Sequence, residues 1–452
     1  MTTEIAILNK SGLALAADSA MTVVIHGPGG KDRKVHNTAN KVFALSKHAP
    51  VAAMIYSNSW LMEIPWEIII KQFRIRLGKT RYSTLKQYCE EFLRFLVELP
   101  ISEGAENSYM LQGTYALAGD IRQSLDQFVA QTIKQDGCIT EADIKTRLSE
   151  LIVEQAKHYR ELASDSNFTD EQKKQLCTKY ETRILEGAKQ IFESLPLTVG
   201  DHAELVRAVV DSAVISTRLH SGVVFAGFGE DELYPSYYDY EISGVLMGRI
   251  IARLEESQII DDTNDAVVAP FAQSNDVRTF MEGMGQDITE FFEKAISDVA
   301  HKGVPEKTVE ALRKKHAIDD KLAEDILHIA QEIGKGTYAE ITRKLRDLKY
   351  HRYINPILQA TRFLQKEDMA MMAETLVNLV SFRKQVTMEV ETVGGPIDVA
   401  VITKGDGFVW IKRKSYFSPE LNHRFFRNYF DYGDQHGRTS DGNESVSGRG
   451  GD

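Results

Sequence analysis

The first part of the chain alternates short apolar stretches with polar breaks, a pattern that predicts β-strands. Residues 3–8 and 13–17 are strand-like, and the Asn-Lys-Ser-Gly sequence between them suits a tight reversal. We therefore expect a β-hairpin at the N-terminus. Residues 22–25 extend its second strand, and the glycine-rich, basic sequence at 26–34 is predicted to be an exposed loop. Two further strands are predicted at residues 41–45 and 51–56.

Beyond Ser57 the apolar residues recur with the spacing of amphipathic helices. A long segment from about residue 110 to 219 is rich in Ala, Leu, Glu and Lys and almost free of proline, which predicts a helical bundle. Other helices are predicted at about 60–77, 83–99, 276–301, 305–348 and 367–383. Strands return at 223–229, 236–242 and 266–271, and the last hairpin is predicted at 397–403 and 408–412.

Hairpins at both ends of the chain, with helices between them, predict an α+β fold in which two packed antiparallel sheets carry helices on their outer faces, a four-layer αββα sandwich. The core is assigned to residues 1–104, 221–301 and 356–432, with helical insertions at 105–220 and 302–355. The Gly-, Ser- and Asp-rich tail, 433–452, has little to bury and is predicted to be disordered.

Charge and composition narrow the possible functions. Acidic residues outnumber basic ones by 65 to 54, and the formal net charge of -11 disfavours nucleic acid as a primary partner. No run approaches the roughly 20 apolar residues of a membrane span, and the first residues lack a secretory-signal pattern. We therefore expect a cytoplasmic protein without a membrane partner.

The cysteines and histidines give no sign of a disulfide framework or a metal site. Cys89, Cys138 and Cys177 are odd in number and show no C-x-x-C spacing, and the 12 histidines include no H-E-x-x-H pair. No cofactor is expected.

Two separated motifs resemble one family. Thr-Thr-Glu-Ile-Ala-Ile at 2–7, followed by Gly-Leu-Ala-Leu-Ala-Ala-Asp-Ser at 12–19, resembles the start of mature proteasome β-subunits and of their simpler bacterial two-ring relatives. Gly-Gly-Pro-Ile-Asp-Val-Ala-Val-Ile-Thr at 394–403, with Gly-Asp-Gly at 405–407, resembles the last hairpin of that family. The chain thus resembles a divergent proteasome-like N-terminal-nucleophile hydrolase. The similar parts cover about half of it, and the helical insertions have no recognised counterpart.

The chemistry of an N-terminal threonine fits this resemblance. A threonine hydroxyl is a weak nucleophile until a neighbouring base takes its proton. When threonine is the first residue, its own α-amine, with an ordinary pKa of about 8, can be that base. Removal of Met1 would expose such an amine on Thr2, and a small second residue permits that removal. A purely structural role for Thr2, at the start of an edge strand, is the alternative.

Two charged residues are expected to support Thr2. Asp18 ends the second strand of the first hairpin, so antiparallel pairing returns it to the N-terminus. The resemblance implies that Asp18 orients the surroundings of the nucleophile and pairs with a lysine, which it places at Lys41. A cation close to Thr2 favours loss of the hydroxyl proton. Lys34 is the competing lysine, and an unpaired surface lysine is the structural alternative for both positions.

Other positions depart from the family pattern. The family has a serine in a Gly-Ser-Gly turn, and Ser274 is the best match although its flanking glycines are absent. Where the family has an aspartate before the Gly-Gly pair, this chain has Glu389 and Glu391. Ser57 stands near the position of the oxyanion-hole glycine, and its backbone N–H could donate to a tetrahedral oxyanion.

The resemblance implies a threonine-type amide hydrolase acting on a peptide or protein substrate, with a homo-oligomeric assembly and an ATPase unfoldase as possible partner. A catalytically silent proteasome-like scaffold that binds a partner through its insertions is the rival hypothesis. A third keeps the chemistry but assigns a small amide as substrate.

Overall fold

The computed structural model describes residues 3–27, 30–193, 195, 197–215, 220–315, 318–387, 394–415 and 417–424, with the backbone alone for 22–34 and 419. It confirms the α+β class and the two antiparallel sheets. The strands are β1 (Thr3–Asn9), β2 (Gly12–Ala17), β3 (Met21–Gly27), β4 (Gly30–His36), β5 (Val42–Ala44), β6 (Val51–Ser57), β7 (Trp60–Leu61), β8 (Ile64–Pro65), β9 (Ser221–Gly227), β10 (Ser236–Leu246), β11 (Arg249–Ile259), β12 (Ala266–Ala272), β13 (Asp398–Thr403) and β14 (Gly407–Lys412).

The first sheet joins the two ends of the chain. Its strand order is β12-β1-β2-β13-β14, so the first hairpin lies beside the last one. β2 pairs with β13 in a register that places Ala17 opposite Asp398, and β1 pairs with β12 in a register that places Thr3 opposite Ala272. Both hairpins predicted from the sequence are therefore present, and both take part in one sheet.

The second sheet has the order β11-β10-β9-β6-β5. β6 pairs with β9 along its whole length, from Val51 opposite Gly227 to Ser57 opposite Ser221. β10 pairs with β11 through two irregularities in register, which increase the local twist of this edge.

Parts of the strand prediction were wrong. Residues 22–25 do not extend β2 but belong to β3, which pairs with β4 in a separate two-stranded sheet. Residues 26–27 and 30–34, predicted as a loop, lie in the same ladder. The polar β11 was not predicted because most of its residues are exposed at the sheet edge, so its sequence lacks the alternation of a half-buried strand.

The helices of the described ranges are α1 (Trp66–Leu77), α2 (Leu85–Val97), α3 (Glu103–Asp136), α4 (Glu141–Leu162), α5 (Asp170–Phe192), α6 (Val199–Ala213), α7 (Asn275–Glu282), α8 (Gln286–Asp298), α9 (Val304–Lys315), α10 (Asp320–Lys349), α11 (Asn355–Thr361) and α12 (Lys366–Val386). Three helices of the first insertion begin at capping boxes, with Thr140, Thr169 and Thr198 as N-caps. α3 ends where Gly137 adopts a φ of 77°, a left-handed conformation that glycine favours.

Apolar residues fill the space between the sheets and both outer faces. Ala6, Leu15 and Met54 belong to the cluster between the sheets. The first sheet packs its other face against α12 and α7, through residues such as Ile7 and Val377. The other face of the second sheet shares one continuous cluster with α1 to α6.

The two helical insertions differ in how they attach. Buried side chains of α3 to α6 belong to the same cluster as the second sheet, so the first insertion shares its core. Within the described ranges, α8 buries none of its residues and α10 buries only Ala323 and Gly334. The second insertion therefore forms an arm with a large exposed surface, together with α8, which precedes it in the segment assigned to the core.

Candidate functional site

The N-terminal end of β1 and the C-terminal end of β2 meet at one end of the first sheet. The backbone N–H of Thr3 donates to Asp18 Oδ1 at 3.1 Å, and the N–H of Asp18 donates to the carbonyl of Thr3 at 3.2 Å. The hairpin thus returns Asp18 to the residue that follows Thr2. Thr2 itself lies outside the described residues.

Lys41 brings a cation to the same place. Its Nζ lies 2.5 Å from Asp18 Oδ1 and 3.2 Å from Glu4 Oε1. The side chains are almost completely buried, with exposed fractions of 6% for Lys41, 1% for Asp18 and 0% for Glu4. Such burial is rare for charged groups unless they are paired, so the three form one ionic cluster.

Glu4 was missed by the sequence analysis. It lies in β1 on the same face as Ala6 and Leu8, which belong to the cluster between the sheets. A carboxylate at an inward position of an otherwise apolar strand is the signal that could have indicated it.

Asp18 also connects the N-terminal motif with the motif at 394–403 through hydrogen bonds. Its Oδ2 accepts hydrogen bonds from the N–H groups of Ala20, at 3.1 Å, and Gly394, at 3.0 Å. The N–H of Ser19 donates to the carbonyl of Gly394 at 3.2 Å. The next residue, Gly395, has a φ of 77°, and a Cβ there would lie 2.8 Å from that of Asn37. Glycine is required at this position by both its conformation and its space.

Ser57 is the last residue of β6, a strand that is hydrogen-bonded to Lys41. The N–H of Ile55 in that strand donates to the carbonyl of Lys41 at 2.9 Å, which ties the strand to the lysine. Ser57 is exposed and has a φ of 67°, in the left-handed region that favours glycine. Serine therefore occupies a backbone conformation that a glycine would adopt with less strain.

Ser274 lies two residues beyond Ala272, the strand partner of Thr3. Its Oγ accepts a hydrogen bond from Arg278 Nε at 3.2 Å, so the hydroxyl is engaged within its own helix. Glu389 and Glu391 lie outside the described residues, as does the side chain of Lys34, and the structure places none of the three.

A second polar cluster lies on β6 and β10, farther along the inner face of the second sheet. The hydroxyl of Tyr56 donates to Asp239 Oδ2 at 2.8 Å, and Asp239 is 5% exposed. Among the described residues Asp239 Oδ1 has no hydrogen-bond partner. Burial raises the pKa of Asp239 to about 7; the Tyr56 hydroxyl opposes that rise and Glu241 adds to it.

We expect Asp239→Asn to stabilise the protein near pH 8 and to have little effect near pH 4. The folded state holds the Asp239 proton more tightly than the unfolded state, so wild-type stability decreases as the pH rises from about 4 to about 7. The asparagine oxygen can still accept the Tyr56 hydrogen bond. Urea unfolding should show that the free energy of unfolding of Asp239→Asn exceeds that of wild type by on the order of 3 kcal/mol near pH 8. Asp231→Asn, at an exposed position, is the control, and equal pH profiles for Asp239→Asn and wild type would contradict the prediction.

In the ranges that the structure describes, no three His, Cys, Asp or Glu side chains are grouped as metal ligands would be. None of the helices in those ranges combines the length and the apolar character that a bilayer crossing requires.

Comparisons of the sequence with the profiles of known families and with curated proteins found no match. Among solved structures, the chain is similar to a helical assembly of the Anbu complex from Pseudomonas aeruginosa. The sequences are 9% identical, 98% of each chain is covered and the TM-score is 0.25. A likeness at this level supports no inference about function.

Proposed function

We propose that this chain is a threonine-type N-terminal-nucleophile amide hydrolase, a proteasome-like peptidase whose nucleophile is Thr2 after removal of Met1. The observation that carries the proposal is the buried pair of Lys41 and Asp18, because Asp18 accepts the hydrogen bond of the Thr3 N–H. The ammonium is thus fixed beside the residue that follows Thr2. Buried charges disfavour folding unless they are well paired, and they concentrate at functional sites.

The proposed reaction uses Thr2 as both nucleophile and base. The α-amine accepts the hydroxyl proton as Oγ attacks the carbonyl carbon of the substrate amide. Collapse of the tetrahedral intermediate breaks the C–N bond, and the proton passes to the leaving amine. Water then attacks the Thr2 ester, which releases the acid and regenerates the hydroxyl. Lys41 favours the deprotonated hydroxyl, Asp18 holds Lys41, and the Ser57 N–H is the candidate oxyanion donor.

We further propose that the two sheets and their outer helices form the four-layer αββα sandwich of this hydrolase class. The apolar cluster between the sheets, and the separate clusters that join each outer face to helices, support this proposal. The meeting of the motifs at 2–19 and 394–403 around Asp18 supports it independently.

The remaining parts of the proposal that the resemblance implies are a peptide or protein substrate, a homo-oligomeric assembly and an ATPase unfoldase as possible partner. A cytoplasmic location is the expectation drawn from the sequence pattern. A small amide as substrate would require the same catalytic residues. Only the size of the molecule that the site can bind would differ.

A silent scaffold is the second candidate, and two observations favour it. The Ser274 hydroxyl is engaged by Arg278, and Ser57 has a side chain where the conformation favours glycine. Neither observation affects the cluster of Lys41, Asp18 and Glu4, which a scaffold does not need. The hydrolase is therefore the better supported of the two.

We expect mature protein to lack Met1, because only a free amine on Thr2 supplies the intramolecular base. Intact-mass spectrometry of protein expressed without an N-terminal tag measures this directly. Thr2→Lys, whose large second residue prevents Met1 removal, is the control for the mass assignment. An untagged chain that keeps Met1 in full would exclude the hydrolase and leave the scaffold.

A further inference from the structure

The backbone conformation of Ser57 has to be held by the residues around it. Its φ of 67° lies in the left-handed region, where a serine is strained, and such a conformation persists only when its surroundings fix it. The preceding residue, Tyr56, lies in β6 with its side chain between the sheets, on the same face as Met54. Because a peptide unit is planar, whatever fixes Tyr56 also helps to fix the N–H of Ser57.

The direction of the Ser57 N–H follows from the strand that carries it. Successive N–H groups of a strand point to opposite edges, and the N–H of Ile55 donates to the carbonyl of Lys41 at 2.9 Å. The Ser57 N–H therefore points to the same side of β6, on which Lys41 lies. The register between β5 and β6 ends with Val42 opposite Met54, so this ladder does not extend to Ser57.

Three contacts hold the side chain of Tyr56. Its hydroxyl donates to Asp239 Oδ2 at 2.8 Å, and its ring stacks on Phe271 with a centroid distance of 6.0 Å and an interplanar angle of 26°. Strand β9 lies between the strands of Tyr56 and Asp239, and the ring crosses it at Gly222, the register partner of Tyr56. A Cβ at Gly222 would lie 1.9 Å from Tyr56 Cζ, so glycine is required there to leave room for the ring.

Asp239 is a costly partner for a tyrosine hydroxyl. It is 5% exposed, and among the described residues its Oδ1 has no hydrogen-bond partner. Burial of a carboxyl group without full hydrogen bonding lowers the stability of the folded protein. Groups that lower stability in this way concentrate at functional sites, which indicates a role for the contact between Asp239 and Tyr56 beyond packing.

We propose that Tyr56, held by Asp239, is a positioning residue for the Ser57 N–H. This inference rests on the proposed function, in which that N–H donates to the oxyanion of the tetrahedral intermediate. The hydroxyl bond and the ring contacts fix Tyr56, and through the next peptide unit they hold Ser57 in its left-handed conformation. A donor that is held in place before the reaction stabilises the developing charge without reorganisation. Tyr56 acts through the backbone of Ser57.

Tyr56→Phe should lower the rate constant of labelling by a peptide epoxyketone about tenfold, since attack on the ketone forms an alkoxide that needs the positioned donor. In a chain that also carries Ser57→Gly, Tyr56→Phe should lower it by less than about twofold, because glycine adopts the left-handed conformation without strain. The matched control is Tyr115→Phe, which removes a hydroxyl that donates to Gln190 at 2.8 Å in the first insertion. It should be labelled at the wild-type rate.

Two substitutions of Asp239 test the other half of the contact. Asp239→Leu removes the acceptor, so it should slow labelling as much as Tyr56→Phe does, and the two substitutions together should slow it no further. Asp239→Asn keeps an oxygen that can accept the hydrogen bond, and its rate constant should stay within about twofold of wild type. Equal slowing by the leucine and asparagine variants would overturn the role given to this hydrogen bond.

Labelling of Tyr56→Phe at the wild-type rate would overturn the proposal, and so would an equal loss with and without Ser57→Gly. Failure of the proposed function gives a different result, because wild-type protein without Met1 would then take up no epoxyketone. Crystal structures of wild type and Tyr56→Phe decide the positioning role in that case. Ser57 should leave the left-handed region in the variant, and an unchanged φ would overturn the inference.

Discussion

Thr2→Ala should abolish covalent labelling by a threonine-directed electrophile, such as a peptide boronate or epoxyketone, and reduce amide hydrolysis by at least about a thousandfold. No other group can replace the hydroxyl as the attacking atom. Loss of one hydroxyl at the second position should change the free energy of unfolding by less than about 0.5 kcal/mol. Labelling is measured by intact mass and stability by urea unfolding.

The adjacent Thr3→Ala variant is the matched control, since it removes a hydroxyl one residue later and leaves the backbone N–H that bonds Asp18. Thr3→Ala should still be labelled by the electrophile. If wild-type protein without Met1 takes up no electrophile between about pH 6 and 9, where an ordinary α-amine changes charge, the hydrolase is excluded. The pairing of the two hairpins would stand, because it does not depend on activity.

Lys41→Met should also abolish labelling and should in addition reduce stability by about 3 to 5 kcal/mol. The reason is that Asp18 and Glu4 would remain as buried carboxylates without the ammonium that lies between them. Removing one partner of a buried ion pair leaves an uncompensated charge, which water cannot reach to stabilise. Thermal unfolding and labelling measured on one preparation give both effects.

Two variants separate chemistry from folding in this prediction. Lys71→Met breaks an exposed pair with Glu67 and should change stability by less than about 1 kcal/mol. Glu4→Gln combined with Lys41→Met removes one of the two buried carboxylates that lose the ammonium, so it should recover part of the stability but none of the labelling. Labelling of Lys41→Met at the wild-type rate would remove the lysine from the mechanism.

The strands that form the site could be predicted because their local patterns agree with their place in the fold. β1, β2, β13 and β14 are short apolar segments joined by polar turns, and each of the two hairpins is marked by its own sequence. β11 escaped prediction because an exposed edge strand carries no buried face. The ladder of β3 and β4 depends on backbone pairing, which the charged sequence of β4 does not signal.

The site was predicted as a list of residues and not as a cluster. The geometry of one hairpin was enough to predict that Asp18 lies beside the N-terminus, and the resemblance identified Lys41. Glu4 and the Gly394 N–H could not be found in this way, because their contacts join segments far apart in sequence. The different packing of the two insertions could not be predicted either, because α3 and α10 are both long helices and only tertiary contacts decide which one is covered.

The pairing of β2 with β13 has a consequence for synthesis of the chain. β2 leaves the ribosome among the first residues, whereas its neighbour in the sheet emerges only after residue 397. Until then Asp18 lacks the Gly394 N–H, and the inner edge of the first hairpin is open. A translation product that stops before Gly394 therefore lacks one of the hydrogen bonds that hold Asp18, and under the proposed function it would stay inert until β13 has been made.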